Sequence, residues 1–416
     1  MTIKSISLEI ILVGAVLAFA APASFAQSGS TRPRRVNPVP TTSRADASVP
    51  AANEETAAPR ASVNTARPRG ANPVNTSAGT GTRRAYELLE QKQYAAAARE
   101  AKQVAASNPD DSEAWKIAGF AEINLKQYAE AASDLQRALE LQRASGQEDA
   151  NTVDALAQAY ILTEKFDQAL PLLVTATTRP GAAPSAIMLY YRGVAEYQTG
   201  KAAEAERSFN AAVKANPKDA ASLYYLGQIA FRGGRLDDSI ALLNRATLSD
   251  ARIAAAWALL TTAYLRRAAS ATVEAKADAD YLSAVRAGES LTRVRTDAEA
   301  STLFAQALIG AKQFAKAATV LERVTVGDDA KGVTLYLLGV SHSRAKNYPK
   351  AIAALERAAA KTPDDVNVYR ELGYAYEVSK QYAKALDAYQ KGATLAPADT
   401  DFKESVERVR PFAQRQ

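Results

Sequence analysis

Residues 112–145 read SEAWKIAGFAEINLKQYAEAASDLQRALELQRAS. Counted from Ser112, Trp115, Ala118 and Gly119 hold positions 4, 7 and 8, and Tyr128, Ala131, Leu135 and Ala138 hold positions 17, 20, 24 and 27. Steps of three, four and seven mark two helical segments, each with one apolar stripe. Gly at position 8 and Ala at position 20 leave room for the two helices to approach closely, where a large side chain would hold them apart. One such pair cannot hide its apolar faces, whereas a stack of pairs can.

The pattern recurs. An aromatic followed three residues later by Ala appears at Tyr94/Ala97, Tyr128/Ala131, Phe166/Ala169, Phe314/Ala317, Tyr348/Ala351 and Tyr382/Ala385. Tyr94 to Tyr128, Phe314 to Tyr348 and Tyr348 to Tyr382 are each 34 residues, as are Gly193 to Gly227 and Gly339 to Gly373. Pro109, Pro217, Pro363 and Pro397 close individual units. The last complete unit repeats the pattern with Tyr369, Leu372, Gly373, Tyr376, Tyr382, Ala385, Tyr389 and Pro397.

This 34-residue unit resembles the tetratricopeptide repeat. The resemblance implies an all-α, right-handed α-solenoid of about eight to nine helix-turn-helix units over residues 81–399. The units start near 78, 112, 150, 186, 220, 254, 298, 332 and 366. Leu236 to Phe314 spans 78 residues, about ten more than two periods. The excess falls near 266–290, in an Ala-rich, charged stretch without Pro that reads as longer helices. Beyond Pro397, Phe402, Val406, Val409 and Phe412 form an amphipathic stripe, so 400–416 is expected to cap the array and end in a tail.

The rest of the chain differs. Residues 1–26 carry a basic Lys4, an apolar run from Ile10 to Phe19, and small residues ahead of Gln27, and resemble a secretory signal peptide. The alternative keeps the run as an uncleaved membrane anchor. Residues 27–84 hold seven of the 17 prolines, nine Arg and three acidic residues, and no Leu, Ile, Met, Phe, Tyr or Trp. Such a stretch cannot bury enough apolar surface to order itself, so 27–80 reads as a disordered linker. It also holds the whole formal charge of +6. The remainder is neutral, which argues against nucleic-acid binding despite a pI near 9.2.

Catalysis finds no support. The chain has no Cys and one His. His-Glu-x-x-His, G-x-x-x-x-G-K-[ST] and G-x-S-x-G are absent. Ser341 and His342 are helical neighbours that point in different directions, and His342 holds position 11, where other units place Tyr160, Tyr264 or Tyr376. The acidic pairs Asp110-Asp111, Asp237-Asp238 and Asp364-Asp365 read as helix N-cap signals. No enzyme activity, cofactor or metal is expected.

What remains is a surface. The resemblance implies that first helices line a concave groove through positions 2, 5, 9 and 12. Those positions select Lys116, Phe120, Asp154, Gln158, Tyr190, Tyr197, Tyr224, Gln228, Phe231, Tyr336, Arg370 and Tyr374 as partner-binding residues. The Lys and Asn pattern by which some relatives grip chaperone tails is missing, since Lys116 is followed by Phe120, Ala155, Ile187 and Tyr191. The expected function is an exported, periplasmic or secreted scaffold that binds a protein or peptide in the bacterial cell envelope. The alternative is a module associated with peptidoglycan or exopolysaccharide. A membrane contact is expected only if the N-terminal run stays uncleaved.

Overall fold

The computed structural model describes residues 80–181 and 183–415. The signal-peptide and linker readings lie outside the described residues, apart from Thr80. Among the described residues there are nineteen α-helices and no strand. Eighteen of them pair into nine hairpins. These are α1 (Thr80–Glu90) with α2 (Tyr94–Ser107), α3 (Ser112–Asn124) with α4 (Tyr128–Ala144), and α5 (Ala150–Leu162) with α6 (Phe166–Thr177). Next come α7 (Ala186–Gln198) with α8 (Ala202–Ala215), α9 (Ala220–Arg232) with α10 (Leu236–Ser249), and α11 (Ala254–Ser270) with α12 (Glu274–Val294). The last three are α13 (Ala298–Gly310) with α14 (Phe314–Val324), α15 (Gly332–Arg344) with α16 (Tyr348–Lys361), and α17 (Val366–Val378) with α18 (Tyr382–Leu395). The nineteenth, α19 (Thr400–Ala413), packs on α18 and buries Phe402, Val406 and Val409, while Phe412 stays 47% exposed beside the Tyr382 ring. The extra residues of the sixth unit lengthen α11 and α12 to 17 and 21 residues. Arg267 ties the two together through Asp280, at 2.6 and 2.9 Å.

Five of the nine hairpins close on a glycine contact between positions 8 and 24. A Cβ added to Gly119, Gly193, Gly227, Gly339 or Gly373 would come within 2.4–2.7 Å of Leu135, Phe209, Leu243, Leu355 or Tyr389, respectively. Only the missing side chain lets the second helix approach so closely.

The turn inside each hairpin is built the same way. Lys92, Lys126, Glu164, Gly200, Gly234, Lys312, Lys346 and Lys380 all have positive φ, between 58° and 80°. They occupy position 15 of every unit but the sixth, where the lengthened first helix runs on past that position to Ser270. A left-handed residue after the helix end satisfies its last carbonyls, and Gly adopts that conformation without steric cost. Lys126→Gly is therefore expected to stabilise the array by about 0.5–1 kcal/mol. A higher urea midpoint at unchanged helicity would show it, and an unchanged midpoint would count against the strain at this turn.

Helix starts vary more. Asp111 and Asp365 cap α3 and α17 by accepting backbone N–H bonds, and Asp149, Asp219, Asp297 and Asp399 do the same for α5, α9, α13 and α19. Asp237 and Asp238 depart from the expected cap role. Helix α10 opens at Leu236, so the pair falls inside its first turn. There the carboxylates lie near the positive end of the helix, and they pair with Arg267 and Arg235.

First helices of adjacent units also touch one another, whereas second helices contact mainly the first helices on either side. The row α1, α3, α5 and onward through α17 is therefore the tighter, inner side of the array. Among the described residues, no helix is long and apolar enough to cross a membrane.

Candidate functional site

The inner row presents positions 2, 5, 9, 12 and 13, and the structure divides the expected binding residues into three groups. The first group is buried. Tyr190, Phe231 and Tyr336 are 4%, 5% and 3% exposed, which corrects their expected place on an open groove. The reason is reach. A position-5 tyrosine is long enough to pack under the next first helix. Tyr190 meets Tyr225 of the following unit at 6.2 Å, as well as Tyr191 at 5.6 Å and Phe209 at 6.1 Å. Phe231 lies beneath the Arg266 guanidinium, 5.3 Å from its ring centre. Tyr336 is enclosed near Glu371, Asp365, Arg344 and Arg370, and burial pushes its hydroxyl pKa well up.

The second group is engaged with its own chain. Lys116 pairs with Glu113 at 2.6 Å and Asp149 at 3.2 Å. Asp154 receives two bonds from Arg179, at 2.6 and 3.2 Å. Arg370 donates to Asp399 and lies over the Phe402 ring, 4.5 Å from its centre.

The third group stays half-exposed: Phe120, Gln158, Tyr197, Tyr224, Gln228 and Tyr374. Tyr374 lies at the far end, T-shaped against Tyr348 and beneath Arg344. Tyr197, Tyr224 and Gln228 belong to the central units and share a base. Tyr225 stacks on Phe209 at 4.9 Å with planes 5° apart, and presents its edges to Tyr197 at 5.5 Å and Tyr224 at 5.4 Å. Burial raises the Tyr224 hydroxyl to about 12, so it stays a neutral donor at any physiological pH. The Tyr197 hydroxyl is buried with no hydrogen-bond partner among the described residues.

Sequence reasoning missed position 13. Arg232 and Arg266 occupy it in the fifth and sixth units, 34 residues apart, and each guanidinium lies over an aromatic ring of the preceding unit. The signal was available, because position 13 is one turn beyond position 9 and so on the same helix face. Gln306, at position 9 of the seventh unit, was also missed. It is 2% exposed and neither amide atom has a partner among the described residues.

A polar column runs between units. Position 11 of one unit meets position 25 of the unit before it: Glu122 with Lys102, Tyr160 with Gln136, Tyr264 with Asn244, His342 with Glu322, and Tyr376 with Glu356. This accounts for the lone histidine, which is 6% exposed and 3.3 Å from Glu322. Burial lowers its pKa.

Glu122 shifts the other way. Burial pushes it up to about 7, the ion pair with Lys102 pulls it back in part, and the neighbouring Asp134 carboxylate raises it again. A raised folded-state pKa means that the stabilisation is fully present below about 4.5 and is lost as pH rises through about 7. Acidification across that window is thus expected to stabilise the first two units by on the order of 1–3 kcal/mol, and Glu122→Gln should abolish the gain. For His342 the contribution is present above 6.5 and is lost as pH falls through its lowered value. Hydrogen exchange of α2 and α3 at two pH values reads the first effect separately from the second.

Among the described residues no group of three or more His, Asp or Glu side chains is placed to hold a metal ion. The arrangement can bind, with rings, amides and guanidinium groups on a preformed surface.

Several solved structures are similar to this chain. A fragment of MamA from Desulfovibrio magneticus RS-1 is similar at 21% identity, with 44% of this chain and 97% of that one covered and a TM-score of 0.38. The C-terminal part of a TPR repeat-containing protein from Cytophaga hutchinsonii is similar at 15% identity, with 70% and 99% covered and a TM-score of 0.42. YrrB, a TPR protein described as having an unusual peptide-binding site, is similar at 16% identity, with 49% and 99% covered and a TM-score of 0.41. A search of curated proteins returns no match. The tetratricopeptide repeat family model matches residues 82–148, 155–213, 198–256 and 336–400, more than half of the chain, and the chain belongs to the tetratricopeptide repeat family.

Proposed function

We propose that this chain is a non-enzymatic scaffold of the bacterial cell envelope that binds a partner protein on the inner face of its fourth to sixth units. Tetratricopeptide repeat proteins generally serve as protein-binding scaffolds. The observation that carries the reading is the half-exposed surface of Tyr197, Tyr224 and Gln228, held in place by the Phe209–Tyr225 stack beneath it. Rigid aromatic side chains supply contact area with little further loss of freedom on binding. The resemblance of residues 1–26 to a signal peptide supports the location, with periplasm or medium as the destination.

Two measurements test it. Osmotic-shock fractionation should release the chain with the periplasm or leave it in the medium, and recovery with the cytosol would contradict the location. A tagged chain should co-purify a discrete protein, and Tyr197→Ala plus Tyr224→Ala should remove that protein while the array stays folded with only a modest loss of stability. Retention on purified peptidoglycan or exopolysaccharide instead, lost in the same variant, would favour the polysaccharide reading.

A further inference from the structure

We infer that the inner face of the fifth and sixth units binds an acidic, extended peptide segment, with Arg232 and Arg266 as its two carboxylate anchors. The inference rests on the protein-binding reading above and names the chemistry of the partner.

Three observations carry it. The first is periodicity. The two arginines stand one repeat apart, on adjacent first helices that touch. The second is posture. The Arg232 guanidinium carbon lies 5.2 Å from the centre of the Tyr197 ring, and that of Arg266 lies 5.3 Å from the centre of Phe231. Stacking fixes the plane of a guanidinium and leaves its N–H edge free for a carboxylate.

The third observation is charge. Other arginines of the inner row are satisfied within the chain, Arg192 by Glu196, Arg267 by Asp237 and Asp280, and Arg344 by Glu371. Arg232 and Arg266 have no ion pair or hydrogen bond among the described residues. Helices α7, α9 and α11 contain a single acidic residue, Glu196, which is buried against Arg192 and Ser208. Two positive charges therefore remain uncompensated over an aromatic floor, and an acidic ligand supplies what the protein lacks.

The spacing sets the form of the ligand. Touching helices lie about 8–10 Å apart. A polyproline-type segment rises about 3.1 Å per residue with three residues per turn, so acidic residues three apart sit on one side at about 9 Å. The motif expected is an acidic residue at every third position, with Tyr or Pro between.

The test uses the full chain and a fluorescein-labelled peptide of four Glu-Pro-Tyr triplets, read by anisotropy. The peptide should bind, and added salt should weaken it. Arg232→Gln plus Arg266→Gln should weaken it by about tenfold or more, as should replacement of every Glu in the peptide by Gln. The melting temperature of the variant should fall by less than about 4 °C, since Arg232 is exposed and Arg266 is half-buried over the Phe231 ring. Equal affinity of the two proteins, or of the Glu and Gln peptides, would overturn the inference. Arginine-dependent binding of polygalacturonate with no binding of the peptide would overturn it in favour of an anionic polysaccharide. If the double variant still co-purifies its partner undiminished while the peptide fails to bind, the acidic-peptide inference falls and the protein-binding reading stands.

Discussion

Gly227→Arg is expected to unfold the fifth unit and to lower the melting temperature of the array by more than about 10 °C. A Cβ at residue 227 would lie 2.7 Å from Leu243 Cγ and 2.9 Å from Cδ2, and Leu243 is fully buried in the centre of α10. Either α10 moves out or the hairpin opens. The guanidinium that follows would be forced into the buried contact between α9 and α10. An unpaired buried charge and an overpacked contact each cost several kcal/mol. The loss should spread to neighbouring units, because a unit in an array keeps its apolar faces covered only while its neighbours stay folded. Leu248→Arg is the control. Leu248 is 88% exposed on α10, and its replacement should leave the melting temperature within about a degree. Equal melting temperatures for the Gly227 variant and the unaltered chain would show that the hairpin does not close on this contact.

Phe209→Ala is expected to destabilise by about 3–5 kcal/mol. The side chain is fully buried, fills the space left by Gly193, and carries the stacked Tyr225 ring. Its removal opens a cavity between the fourth and fifth units and withdraws the support of Tyr197 and Tyr224. Partner binding should therefore fall along with stability. Tyr224→Ala should behave differently, with a stability loss of about 1 kcal/mol and the same loss of binding. The pair separates the base of the site from its surface. Urea unfolding and co-purification read the two effects, and a Phe209→Ala chain that binds normally would remove the stacked core from the account.

The fold was legible because it rests on contacts within a unit. Gly119 and Leu135, or Gly373 and Tyr389, meet inside one hairpin, and their 16-residue spacing recurs with the period. The helix starts at residues 112, 150, 186 and 220 follow from the same register. The site was less legible, because exposure depends on the next unit. Tyr190 and Tyr224 hold the same position, yet Tyr190 is buried against Tyr225 of the next unit while Tyr224 stays half-exposed. Lys116 and Arg370 sit at that position too, and their charges are taken up by Asp149 and Asp399 from the next segment along the chain. A repeat assigns a face to each position, but the length of each side chain and the identity of its cross-unit neighbour decide whether that face is open. Arg232 and Arg266 show the converse, since their shared position was readable while their rings and their lack of carboxylates were not.

Photo-crosslinking in the native cell tests the inner face most directly. A photoreactive residue at Gln228, half-exposed between Tyr224 and Arg232, is compared with one at Leu248 on the second-helix side. The account predicts a discrete protein crosslinked from position 228, weakened by Tyr197→Ala plus Tyr224→Ala, and none from position 248. A crosslink from position 248 with none from position 228 would place the partner on the opposite side of the array and contradict it.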